Sequence, residues 1–210
     1  QAALVLGLDT RTAYMGSQQV ALNSSEAGQT TYRSKLELEK DTVYDFFSPA
    51  HNDPWHYGPV YAFSNNDVQG TSVPFDLTNL AGSRADIQAE FIGIIDIDSD
   101  GNDHHVVGLV NGADGGDEQF DGNVAHTIEF NNVNVVASNT FQFAIRSIAT
   151  TPYDAVALNK VTVKFDRATV AENDYLDGEF ASNQTFELSH FTNEAISVYS
   201  VDDTSGDVSL

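Results

Sequence analysis

The sequence predicts an all-β fold: an antiparallel two-sheet β-sandwich or jelly roll with little helix. Three observations lead there. Apolar and polar residues alternate with a period of two through much of the chain, as in strands with one buried and one wet face. Clusters of Gly, Asn, Asp and Ser break the alternation at short intervals. The acidic residues are mostly Asp, 21 against 10 Glu, and Asp favours turns and caps where a helical acidic protein would use Glu.

The elements follow in order. Residues 3–9 and 18–22 are apolar enough for strands, and the cluster 23–28 reads as a turn. Tyr32, Ser34, Leu36 and Leu38 alternate with Arg33, Lys35, Glu37 and Glu39, which predicts a strand with the first set inward. Strands are expected at 60–63 and 73–77 around a turn at 64–70, and a turn or two of helix at 78–90. Residues 91–98 and 105–110 read as strands flanking the turn 98–103. Another turn at 111–116 precedes a strand at 127–136. Phe141, Phe143 and Ile145 alternate with Gln142, Ala144 and Arg146, and Val161, Val163 and Phe165 with Thr162, Lys164 and Asp166; both apolar sets are expected in the core. Residues 173–178 form a turn cluster, and 185–188 and 196–201 are the last strand candidates.

A chain of 210 residues fits one domain, 1–210, in which the polar stretch 167–210 is a candidate C-terminal extension. That length buries a sizeable core without cross-links. Cysteine is absent, which excludes disulfides, thiolate metal sites and cysteine nucleophiles. No apolar run approaches the roughly 20 residues of a membrane-spanning helix, so membrane insertion is not expected. Gln1 fits the first residue of a processed secreted protein and equally an arbitrary boundary. The formal charge is −22, from 31 acidic and 9 basic residues. Such a polyanion repels nucleic acid and anionic lipid and attracts cations.

The sharpest motif is Asp96-Ile97-Asp98-Ser99-Asp100-Gly101-Asn102-Asp103. It resembles the first half of an EF-hand loop, with carboxylates at alternate positions and Gly where the chain turns sharply. Val107 stands where the EF-hand places its bidentate Glu, and the flanks read as strands. The motif therefore looks like the calcium loops set between strands in extracellular β domains. Calcium is the expected cofactor, with Asp96, Asp98 and Asp100 as ligands and Asn102 or Asp103 adding an oxygen.

A second acidic segment follows at 114–121, and Asp114, Asp117 and Asp121 are its candidate ligands. If 105–110 pairs back on 91–98, this segment lies at the other end of the sheet and forms a separate site. The 61 residues between Arg84 and Arg146 hold eleven acids and no Lys or Arg, a density of repulsion that cations would relieve. An acidic hairpin turn without metal is the plain structural alternative.

Tyr44, Phe46, Phe47, Trp55, Tyr57, Tyr61 and Phe63 crowd one stretch, and the loop 51–61 carries Trp55, Tyr57, His51 and Asp53 as candidate glycan-binding groups. Exposed rings stack on sugars, while His and Asp bond hydroxyls; the competing reading has these aromatics capping one end of the core. His51 and His56 with Asp53 form a weaker zinc candidate. His104 and His105 are adjacent in a strand and point to opposite faces, so at most one joins a site.

No nucleophile elbow, phosphate loop or HExxH motif is present, and carboxylate pairs cannot be singled out among so many acids. An enzyme is not expected, and a calcium-dependent polysaccharide lyase is the distant alternative. The expected function is a secreted, acidic, calcium-binding structural or adhesive protein, such as a filament or adhesin subunit, at the cell surface or outside the cell. Self-assembly would use residues 1–8, a strand apolar on both faces that needs cover on both sides. The alternative is a calcium-dependent carbohydrate-binding module using the loop 51–61. Exposure of Trp55 and Tyr57 separates the two. Asn23 and Asn183 begin glycosylation sequons.

Overall fold

The computed structural model describes residues 27–45, 53–63, 67–97, 101–146, 148, 151–180, 185–192, 200–201 and 208–209. Among the described residues there are thirteen strands and no helix. They are β1 (Thr31–Glu39), β2 (Val43–Tyr44), β3 (Trp55–His56), β4 (Pro59–Phe63), β5 (Val68–Asp76), β6 (Leu80–Gly93) and β7 (His104–Val110). Then follow β8 (Ala113–Phe120), β9 (Ala125–Asn134), β10 (Ser138–Ile145), β11 (Tyr153–Ala168), β12 (Ser200–Val201) and β13 (Val208–Ser209). Two compact units divide the chain: residues 35–166, and residues 1–34 with 167–210.

The larger unit is a β-sandwich. One sheet has the order β1-β11-β6-β9, with β4 also paired to β11, and the other has the order β5-β10-β7-β8. The ladders of β4, β9 and the second sheet are antiparallel. One apolar cluster takes Ile87, Phe91, Phe130 and Val163 from the first sheet and Val106, Phe141 and Phe143 from the second. The Phe91 and Phe143 rings meet edge to face at 5.3 Å across the gap. Burial of Phe141, Phe143, Ile145, Val161, Val163 and Phe165 agrees with their alternation in sequence. Leu36 and Leu38 are half-buried against the same cluster.

In the smaller unit Tyr32 is buried against Phe180, whose ring in turn meets Phe186. The Tyr32 hydroxyl donates to the Asp177 carbonyl at 2.7 Å. Gln29 bridges Phe186, and Val170 bridges Ser189, both in parallel. The strand expected at 185–188 is thus an isolated bridge at Phe186. The strands expected at 3–9 and 18–22 lie outside the described residues.

Two expectations are corrected. The helix expected at 78–90 is strand β6, preceded by a turn at Thr78-Asn79 with Asn79 at φ 52°. Ala85, Ile87, Ala89 and Phe91 are buried while Asp86, Gln88 and Glu90 between them are not. Helix-favouring Ala, Gln and Glu yield here to burial of one face against the opposite sheet. The second correction concerns residues 91–98 and 105–110, which do not pair. β6 ends at Gly93, and the chain then crosses to the other sheet, where β7 pairs with β8 and β10. Asn111-Gly112, at φ 53° and 79°, supplies the two-residue left-handed turn that folds β8 onto β7. The turn expected at 111–116 is therefore only these two residues, and most of the second acidic segment is strand.

Candidate functional site

The crossing from β6 to β7 contains the acidic loop. Asp98 and Asp100 lie outside the described residues. Asp96 and Asn102 are exposed, while Asp103, immediately before β7, is 0% exposed. The Ile97 amide donates to Asp103 Oδ2 at 2.9 Å across the neck of the loop. The other oxygen, Asp103 Oδ1, is buried and has no hydrogen-bond partner among the described residues.

His104, the next residue, points into the protein and is also 0% exposed. Its Nδ1 lies 2.6 Å from Asp154 Oδ1, and its Nε2 lies 3.1 Å from the Gly122 carbonyl and 3.2 Å from that of Ile95. Both ring nitrogens are engaged, so neither is available to a metal. The His105 amide donates to Asp154 Oδ2 at 3.3 Å. A Cβ on Gly93 would strike both the Gly122 carbonyl and the His104 ring, which is why the backbone can pack this closely. Residues 95–97 are thereby fastened at Ile95 to His104 and at Ile97 to Asp103, with Asp96 between. The Asp96 carboxylate sits beside Gly122, where an added Cβ would lie 3.8 Å from Oδ2.

The other acidic candidates are dispersed along β8 and beyond it. Asp117 pairs with His105 at 2.8 Å, Glu118 with His126 at 3.1 Å, and Asp121 is exposed. Asp114 belongs to β8, and its side chain is outside the description. Adjacent strand residues face opposite ways, and Asp117 and Glu118 accordingly meet different histidines. Among the described residues no three His, Cys, Asp or Glu side chains gather as a metal cluster.

The aromatic stretch splits. Trp55 is 40% exposed in the small β2–β3 hairpin, with Tyr44 edge-on to it at 5.2 Å. Asp53 Oδ1 accepts the Trp55 amide at 2.9 Å and shapes the turn into β3. Tyr57 is half-buried against the core, and burial, with Glu39 adding to it, raises its hydroxyl pKa. His56 is buried, accepts the Gly58 amide at Nδ1, and burial pushes its pKa down against a smaller opposing pull from Asp45. His51 lies outside the described residues, as do Phe46 and Phe47.

A second aromatic group stands on the outer face of β4 and β11. Ala62 faces the core, so Tyr61 and Phe63 face outward, 49% and 60% exposed. The register sets Tyr153 opposite Phe63 and Ala155 opposite Tyr61. The Tyr61 and Phe63 rings are 6.4 Å apart with planes 15° from parallel; Phe63 and Tyr153 are 6.2 Å apart at 29°. Three rings therefore group on this face, two along a strand and one across it. The sequence holds a signal for the first two, since Tyr61 and Phe63 flank a small residue in alternation. Tyr153 and Asp154 arrive through strand pairing with a distant segment and have no local signal.

No family model matches this sequence, and no curated protein matches it. Solved structures do. Dimeric latent PorU from Porphyromonas gingivalis matches at a TM-score of 0.54 and 16% identity, over 80% of this chain and 16% of that one. A carbohydrate-binding module, CBM36, solved with calcium and xylotriose matches at 0.38 and 14%, over 62% of this chain and 98% of that one. The GH26-CBM35 β-(1,4)-mannanase of Podospora anserina matches at 0.38 and 11%, over 62% and 27%. The chain spans about a sixth of PorU, 16% of its length. At 16% identity the likeness to PorU bears on the fold alone.

Proposed function

We propose that this chain is a non-catalytic, extracellular recognition domain that binds neutral glycans on its exposed aromatic surface and carries calcium as a structural ion in the β6–β7 loop. The observation that carries the reading is the aromatic group of Tyr61, Phe63 and Tyr153. A group of large rings exposed on one sheet face is the kind of surface that marks a binding site. The apolar C–H faces of a pyranose stack on such rings, and the two tyrosine hydroxyls offer hydrogen bonds to sugar hydroxyls. The charge of −22 opposes an anionic ligand and leaves a neutral chain as the matching partner. Exposure of Trp55 adds a further ring for stacking, whereas Tyr57 belongs to the core. A structural or adhesive subunit remains the second reading, favoured by the acidic surface; its assembly contact, residues 1–8, lies outside the described residues.

The test is affinity electrophoresis through xylan, mannan and mixed-linkage β-glucan, with anionic alginate as control. The chain should be retarded by at least one neutral polysaccharide and not by alginate. The Tyr61→Ala/Phe63→Ala double variant should lose roughly tenfold or more in affinity, about 1.4 kcal/mol, without a change in circular dichroism. Free migration in every neutral gel, or undiminished retardation of the variant, overturns the proposal.

A further inference from the structure

We infer that the neck of the β6–β7 loop is a hard divalent-cation site anchored by Asp103, and that its ion is calcium. The inference deepens the calcium part of the function proposed above and is independent of the aromatic surface.

Asp103 is fully buried, one carboxylate oxygen accepts the Ile97 amide, and the other has no partner among the described residues. A buried carboxylate with an unmatched oxygen is among the most costly groups a fold can hold, and natural structures pair it or give it a metal. The adjacent His104 cannot serve, because Asp154 and two backbone carbonyls occupy both its nitrogens. Arg84 and Arg146 bound a 61-residue stretch with no Lys or Arg, so the segment brings no fixed cation of its own to the loop.

The surrounding chemistry selects the ion. The donors that the neck brings by position are the carboxylates of Asp103 and Asp96 and the Asn102 amide oxygen, with Asp96 held between the two points that fasten residues 95–97 to 103–104. All are hard oxygens; the chain has no Cys, and the nearest histidine is occupied. Oxygen-only sites take magnesium or calcium and not zinc. Calcium accepts six to eight oxygens in irregular geometry and completes its shell with water, whereas magnesium demands a near-ideal octahedron. An irregular loop with carboxylate and amide oxygens set by its own turn, and not by an octahedron, therefore suits calcium better than magnesium. Bound there, the ion would tie the end of β6 to the start of β7, where the chain passes from one sheet to the other.

The experiment uses the full chain stripped with EGTA and titrated with calcium, magnesium or zinc chloride, read by unfolding temperature and by isothermal calorimetry. Calcium should raise the unfolding temperature progressively, since a ligand that binds only the native state stabilises it by mass action. Magnesium should act more weakly and zinc should show no site. Asp103→Asn should abolish the calcium increment, yet without calcium it should be at least as stable as the parent, because it removes a buried charge. Asp96→Asn changes an exposed side chain, keeps the fold, and should weaken calcium binding roughly tenfold; it carries the test if Asp103→Asn does not fold. An unfolding temperature indifferent to millimolar calcium overturns the inference, as does a full calcium increment in Asp103→Asn or, where that variant does not fold, unchanged calcium affinity in Asp96→Asn. Glycan retention by the stripped protein is measured separately, so loss of either property leaves the other readable.

Discussion

Replacing Asp154 by Ala tests the polar framework that holds the start of β7. Asp154 is 2% exposed, and its two oxygens receive the His104 ring at 2.6 Å and the His105 amide at 3.3 Å. His104 is fully buried, so water cannot replace the lost carboxylate at its Nδ1. Leaving a buried polar group without its hydrogen-bond partner costs about 1–3 kcal/mol. At roughly 2–4 °C per kcal/mol for a chain of this size, the melting temperature should fall by about 2–12 °C. Asp154→Asn keeps an acceptor for the imidazole and should lose less. Differential scanning calorimetry on both variants gives the values directly. A loss below about 1 kcal/mol in Asp154→Ala would mean that His104 finds another partner and that the pair does not organise the loop.

Two further outcomes follow from the packing and the charges. Gly108→Ala places a methyl group into the ring of Phe130, and overpacking should cost about 1–3 kcal/mol by urea unfolding; a second change, Phe130→Leu, should recover part of it, and its failure to do so would refute the clash. Burial holds the pKa of His56 below its ordinary value, so the unfolded chain takes up the proton first as pH falls. Stability contributed by neutral His56 is complete above about pH 6.5 and is lost as pH drops from there through the depressed folded value. Melting temperatures measured between about pH 5 and 8 should show this slope, and His56→Gln should flatten it; an unchanged slope would assign it to another group.

Strand character was legible wherever the cause is local. Phe141, Phe143 and Ile145 alternate with smaller or polar residues, and Asn111-Gly112 is a two-residue turn by its own stereochemistry. Residues 78–90 misled because Ala, Gln, Glu and Arg favour helix in isolation, and only the apolar sheet waiting opposite turns their alternation into β6. The candidate site was legible as composition: a loop dense in Asp and a stretch dense in aromatics.

By itself the sequence determined the all-β class, the acidic charge and the absence of thiol chemistry, because these depend on residue type and spacing along the chain. Tertiary structure alone decided which members of each cluster are buried. Asp103 is buried and Asp96 stays in solvent, because the chain crosses between sheets at that point and draws residue 103 inward. Tyr57 went inward while Tyr61 and Phe63 remained outside. Tyr153 joined them from a distant strand, since pairing is set by the sheet and not by the neighbouring sequence.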